Sequence, residues 1–124
     1  MAKFAICKHC GVAVGFVIDK NVSLTCCGEK MTELTPNTVD AAQEKHLPVV
    51  NVSGTTVKIT VGSVAHPMTE EHNITFIYLE TKNGGQMKRL NPNDEPTVTF
   101  ALADDTPVAA YAYCNLHGLW KTDI

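Results

Sequence analysis

Cys114 and His117 stand with two residues between them in Tyr113-Cys114-Asn115-Leu116-His117-Gly118-Leu119-Trp120, so a thiolate and an imidazole on one turn can reach a single metal ion. Upstream, His66-Pro67-Met68-Thr69-Glu70-Glu71-His72 offers two more imidazoles, and Glu44-Lys45-His46 a further one. Together these are five candidate donors: His46, His66, His72, Cys114 and His117. Five protein ligands leave one position of an octahedron free, and an open position distinguishes a site that does chemistry from one that only holds a fold together.

A second donor set lies near the start. Cys7-Lys8-His9-Cys10-Gly11 and Thr25-Cys26-Cys27-Gly28 give the spacing C-x2-C-x15-C-C. Such pairs form knuckles whose backbone N–H groups donate to sulfur, and the glycines that follow tolerate φ > 0. Val12 to Leu24 offers little apolar surface, and about 35 residues are too few for a sufficient core, so a metal must supply folding energy. A four-sulfur tetrahedron suits structural zinc and redox-active iron alike. The vicinal Cys26-Cys27 pair departs from a two-knuckle zinc ribbon and points toward iron. His9, inside the knuckle, reads as a solvent-facing residue.

The whole chain has 124 residues, a formal charge of -3 and 44% hydrophobic residues, which suits one modest core with a small satellite. An acidic balance argues against nucleic acid as a partner. No apolar run approaches the roughly 18 residues of a membrane span, and Met1 to Cys7 is too short an apolar stretch for an export signal. Five cysteines cannot all pair, so a cytoplasmic location with metal thiolates is the expectation.

Thr35-Pro36-Asn37-Thr38 reads as a linker, dividing a metal domain (1–36) from a larger one (37–124). The pattern predicts a one-turn helix with Asp40 as N-cap and Gln43 in the capping-box position, stopped by Pro48. Glu44, Lys45 and His46 then fall where helix gives way to strand. Val57, Ile59 and Val61 alternate with polar residues as a half-buried strand does. Ile74 to Thr81 is apolar on both faces and so central, and Asn83-Gly84-Gly85 reads as a primed hairpin turn. Gln86–Leu90, Thr97–Leu102 and Val108–Tyr113 complete six or seven short strands. The expected fold is mainly β: a small metal domain followed by an immunoglobulin-like antiparallel sandwich. His66 precedes proline and is held extended, so its ring can project from a loop.

Structural zinc closes with four ligands, one fewer than the candidates here. Blue copper uses two histidines, one cysteine and a weak axial methionine, but Gly118 to Ile124 contains no methionine and two histidines would be left over. Four neutral imidazoles and a thiolate suit ferrous iron. A cupredoxin-like electron carrier and a zinc-stabilised binding module remain the alternatives.

The same motifs resemble the desulfoferrodoxins, two-iron superoxide reductases. The N-terminal cysteines are similar to that family's desulforedoxin-like, rubredoxin-type centre. Glu44-Lys45-His46, Gly62-Ser63-Val64-Ala65-His66-Pro67-Met68, His72 and Cys114 to Trp120 are similar to its catalytic motifs. The resemblance implies a homodimer with two iron ions. One is held by Cys7, Cys10, Cys26 and Cys27; the other by His46, His66, His72 and His117 around it and Cys114 opposite the open position. It implies that superoxide is reduced to hydrogen peroxide with electrons from a rubredoxin-like donor. Lys45 would be the cation beside the open position, and Glu44 the carboxylate that fills it on oxidation. The weak helix suggests that Glu44 moves in with the segment from Asp40 to Pro48.

Overall fold

Among the described residues of the first 35 positions, only Phe4, Ala5 and Cys7 are buried apolar residues. The computed structural model describes residues 2–124, in two units that divide between Thr35 and Pro36. In the first, β1 (Phe4–Ile6) pairs antiparallel with β2 (Ala13–Gly15). A short hairpin, β3 (Thr25–Cys26) with β4 (Glu29–Lys30), carries Cys26 at the end of its first strand and Cys27 on its turn. The strand β5 (Thr32–Glu33) returns to the other edge of β1. Val17 and Ile18 are 99% and 72% exposed, so the intervening loop contributes no core. That leaves the folding energy to whatever the cysteines hold.

The second unit opens with α1 (Gln43–His46), followed by β6 (Pro48–Ser53) and β7 (Thr56–Val61). Then come β8 (Ile74–Thr81), β9 (Gly84–Arg89), β10 (Thr97–Ala101), β11 (Pro107–Cys114) and β12 (Gly118–Asp123). The sheets run β10-β7-β6 and β12-β11-β8-β9, an immunoglobulin-like sandwich. Val57, Ile59, Val61 and Phe100 face Ile74, Ile77, Leu79, Ala110, Ala112 and Cys114 across the core. Each fully buried Val or Ile contributes about 1.5–3 kcal/mol. β8 and β11 are interior strands, as the two-faced apolar pattern of Ile74–Thr81 predicts. On their outer face Phe76 stacks on Tyr113, and the Tyr111 hydroxyl donates to Glu80 Oε1 at 2.7 Å.

Two local expectations are corrected. The helix cap is Ala42, with no side-chain bond to the first turn, so Asp40 lies too early to cap it. The hairpin turn falls at Lys82-Asn83, because Thr81 pairs with Gly84, one position before the glycine pair suggested. The cause is distant: Lys82 N–H donates to the Thr106 carbonyl and Asn83 N–H to the Asp105 carboxylate, fixing the turn from outside.

One irregularity shapes the end of the sandwich that matters most. Tyr113 pairs with Phe76 but Cys114 with Ile74, leaving Thr75 as the extra residue of a bulge. Bulges bend a strand and re-aim its side chains. Here the bulge lies directly beside Cys114.

Candidate metal centres

Cys7, Cys10, Cys26 and Cys27 converge in the first unit, all as free cysteines. Cys10 and Cys26 sulfurs stand 3.7 Å apart, Cys26 and Cys27 3.9 Å. A disulfide needs about 2 Å, whereas a tetrahedron with metal–sulfur bonds of about 2.3 Å has edges near 3.8 Å. The donor spacing therefore fits a metal and excludes a bridge in this geometry. Gly11 and Gly28 sit at φ +83° and +78°, the freedom each knuckle requires. The backbone N–H of Cys10, aided by that of His9, holds the Cys7 thiol down to about 6. Its sulfur and that of Cys10 push Cys26 up to about 12, so four thiolates coexist only around a cation. His9 faces solvent and pairs with Glu29 at 2.9 Å. Cys26→Ser should remove the metal of this centre and leave that of the second unit in place, because the two donor sets share no residue. Metal analysis on the variant is the check; loss of metal from both units would defeat the expectation.

In the second unit four imidazoles form a closed ring. His46 lies against His66 and His117, and His72 against the same two, with ring centroids 4.7–5.1 Å apart and planes crossing at 76–89°. His46, His72, Cys114 and His117 place their donor atoms within 4.8 Å of one another, and His66 completes the ring through His46. Backbone carbonyls settle which nitrogens are free. His46 Nδ1–H donates to Ala42 O and His66 Nδ1–H to Pro67 O, both at 2.6 Å. Each Nε2 is then a bare lone pair. Yet these two lone pairs face each other at 3.2 Å, and His117 Nδ1 stands 3.1 Å from His46 Nε2. Lone pairs this close repel unless a cation lies between them. Adjacent ligands of an octahedron with bonds of about 2.1 Å are separated by about 3 Å. His72 Nε2 is buried without any hydrogen-bond partner among the described residues, as a ligand atom would be.

The thiolate comes from the core side. Cys114 is fully buried, and desolvation pushes its thiol up while the backbone N–H groups of Leu116 and His117 oppose the shift. Burial pushes His66 down to about 4, and lowers His72 with help from the charges of His117, His46 and Lys45. Both rings are thereby kept neutral, the form that binds metal.

The loops are tied to one another. Thr69 Oγ1 accepts from His72 N–H and donates to His72 O, closing the turn that carries this ring. Asn115 Oδ1 accepts from Asn73 N–H, and its Nδ2 donates to Glu71 O, strapping the Cys114 turn to the His72 loop. Glu44 and Lys45 are exposed beside His46. Their backbone is fixed: Glu44 O accepts from Val64 N–H at 2.9 Å and from Ser63 Oγ at 3.3 Å. Gly62 packs so tightly there that a Cβ would collide with the Glu44 carbonyl and the Lys45 carbonyl carbon. These contacts tie the middle of the Asp40–Pro48 segment to the loop that follows β7. Sequence reasoning missed Gly62, although a glycine at the end of a strand pattern signals close backbone approach. Met68, the one thioether close in sequence to the histidines, accepts a hydrogen bond from Ile74 N–H at 3.3 Å and packs against the core. It is thus not the axial ligand a blue-copper site would need.

An immunoglobulin-like sandwich with a four-histidine, one-cysteine centre at its loop end, joined to a four-cysteine unit, defines a class of two-centre metalloproteins. A profile of the desulfoferrodoxin family matches residues 38–123. The desulfoferrodoxin of Clostridium acetobutylicum is 43% identical over 119 residues, covering 96% of this chain and 94% of that protein. The crystal structure of the superoxide reductase from Treponema pallidum superposes with a TM-score of 0.80 at 46% identity, covering 91% of this chain and 93% of that one. The one-iron superoxide reductase from Giardia intestinalis matches at 36% identity and a TM-score of 0.57, covering 65% of this chain and 97% of that one. This chain belongs to the desulfoferrodoxin family.

Proposed function

We infer that the chain reduces superoxide to hydrogen peroxide, with iron at both centres and the chemistry at the four-histidine, one-cysteine one. The observation that carries this is the convergence of imidazole nitrogens at 3.1–3.2 Å beside a buried cysteine. The overall change adds one electron and two protons to superoxide. Iron, when bound, supplies the electron at the position the protein leaves open.

The chain's own residues do the rest. His46, His66, His72, His117 and Cys114 would hold the catalytic iron, the buried Cys114 supplying a thiolate's negative charge from the core side. Cys7, Cys10, Cys26 and Cys27 would hold the other iron. Lys45 draws an anionic substrate to a protein whose net charge is itself negative. Its charge is among the causes that lower the His72 pKa, after burial and the charges of His117 and His46, which supports this reading. Glu44 would reach the oxidised centre by rotation of its own side chain, since hydrogen bonds hold the backbone that carries it. The small unit (1–36) and the sandwich (37–124) thus have separate roles. We extend this reading to a cytoplasmic homodimer fed by a rubredoxin-like donor, supported by the family and by the free cysteines. No helix among the described residues is long and apolar enough to cross a membrane.

The test is product stoichiometry. The pre-reduced protein should yield one peroxide for each superoxide consumed and no dioxygen; evolved dioxygen would make it a dismutase instead. Lys45→Ala should slow the second-order reaction about 10-fold, the low end for steering, and flatten its dependence on ionic strength. Pulse radiolysis over a salt series measures both. An unchanged salt slope would leave Lys45 a solvated surface charge.

A further inference from the structure

Trp120 is the chain's single tryptophan and is buried. It touches two of the four imidazole-bearing residues, which come from segments 71 positions apart. Its indole stacks on the His46 ring, with centroids 5.0 Å apart and planes at 23°. Its Nε1–H donates to the His117 carbonyl at 3.0 Å. A buried indole N–H must find an acceptor, and here the acceptor belongs to a candidate ligand residue. We propose that Trp120 is a positioning residue for the second metal centre, setting the orientation of His46 and the His117 peptide together. The proposal rests on the four-histidine, one-cysteine reading of that centre.

The geometry explains why both residues need it. His46 Nδ1 is tied to Ala42 O, but one hydrogen bond leaves the ring free to swing about that contact. The indole face removes this freedom on one side, while His66 and His117 stand edge-on at 76° and 89°. His117 is the ring that presents Nδ1 to its neighbours. Nδ1 and Nε2 sit behind the same two side-chain torsions, but Nδ1 lies nearer the backbone, so its position follows the His117 peptide more closely. Fixing the carbonyl of residue 117 therefore fixes that atom.

Trp120 is itself held from behind. Asn37 donates from its backbone N–H to Leu119 O at 3.0 Å and from Nδ2 to Lys121 O at 3.1 Å. Lys121 N–H returns a bond to Asn37 Oδ1 at 2.9 Å. These three bonds bracket Trp120 on its strand. Asn37, at φ +61°, is exposed, so its side chain serves the strand without filling the core.

The experiment uses the full chain loaded with iron, and Trp120→Phe and Asn37→Gly variants. Phenylalanine keeps a ring against His46 and loses the bond to His117; glycine keeps the positive φ and loses two of the three bonds. The readouts are the rate at which iron leaves the second centre to a chelator and the thiolate-to-iron absorption of the oxidised form. Absorption of the four-cysteine centre is the internal standard. Trp120→Phe should speed iron loss about 10- to 100-fold, the range for partners that orient a ligand, and shift the absorption. Asn37→Gly should do the same more weakly. If Trp120→Phe does not fold, Asn37→Gly decides alone. Lower thermal stability with unchanged absorption and iron release would overturn the proposal, making Trp120 ordinary core, and leave the site reading intact. A wild-type chain holding iron only at its four cysteines would overturn both.

Discussion

Replacing Cys114 with serine should leave iron bound among the four histidines and lower superoxide reduction by more than about 100-fold, the upper end for merely outer partners of a metal site. The expectation comes from where the sulfur sits. Cys114 is fully buried, its thiol is pushed up by desolvation, and two backbone N–H groups, of Leu116 and His117, are aimed at it. A site that goes to this length to stabilise a buried thiolate uses its charge. Serine is smaller and far less acidic, so it would arrive neutral and donate little. The oxidised variant should also lose its thiolate-to-iron absorption. Pulse radiolysis with a visible spectrum measures both, and a variant with full rate and unchanged colour would remove Cys114 from the centre.

Gly62→Ala should weaken the second centre without touching any donor. The added methyl would fall on the carbonyl groups of Glu44 and Lys45. Those are backbone atoms, so they cannot rotate away as a side-chain tip would. Overpacking of this kind costs about 1–3 kcal/mol. The strain would be relieved by pushing α1 outward, carrying His46 from its place between His66 and His117. Iron affinity should fall about 10- to 100-fold alongside the lower thermal stability. Gly54→Ala is the matched control: at φ +58° it is strained, but nothing lies within 4 Å of the added carbon. It should destabilise the sandwich and leave iron binding unchanged. Equal iron binding by both variants would show that the clamp on α1 does not matter.

Donor identity was legible because cysteine and histidine carry their chemistry in their type. A thiolate knuckle or a Cys-x-x-His turn needs only local spacing to be recognised. The strands were legible for a similar reason, since alternation at Val57, Ile59 and Val61 is a local pattern with one good burial solution. What escaped was set by distant contacts. The Lys82-Asn83 turn is fixed by Asp105 and Thr106, over twenty positions away. The bulge at Thr75 exists only in the pairing of β8 with β11. That His46 and His66 offer Nε2 follows from the carbonyls that stand behind those two rings, and that His117 turns Nδ1 toward His46 is seen only in the folded chain. The helix cap failed for an energetic reason: a four-residue helix packed by its neighbours does not need one.

The spread of the donors along the chain has a consequence for biosynthesis. The four cysteines span Cys7 to Cys27, so they are synthesised before any donor of the second centre. The other five donors run from His46 to His117, and the ring closes only when β11 and β12 have paired. Chains stalled before His117 can thus be charged at the first centre but not completed at the second. Iron with an open position can assemble only once the turn after β11 has been made and the thiolate of Cys114 is in place.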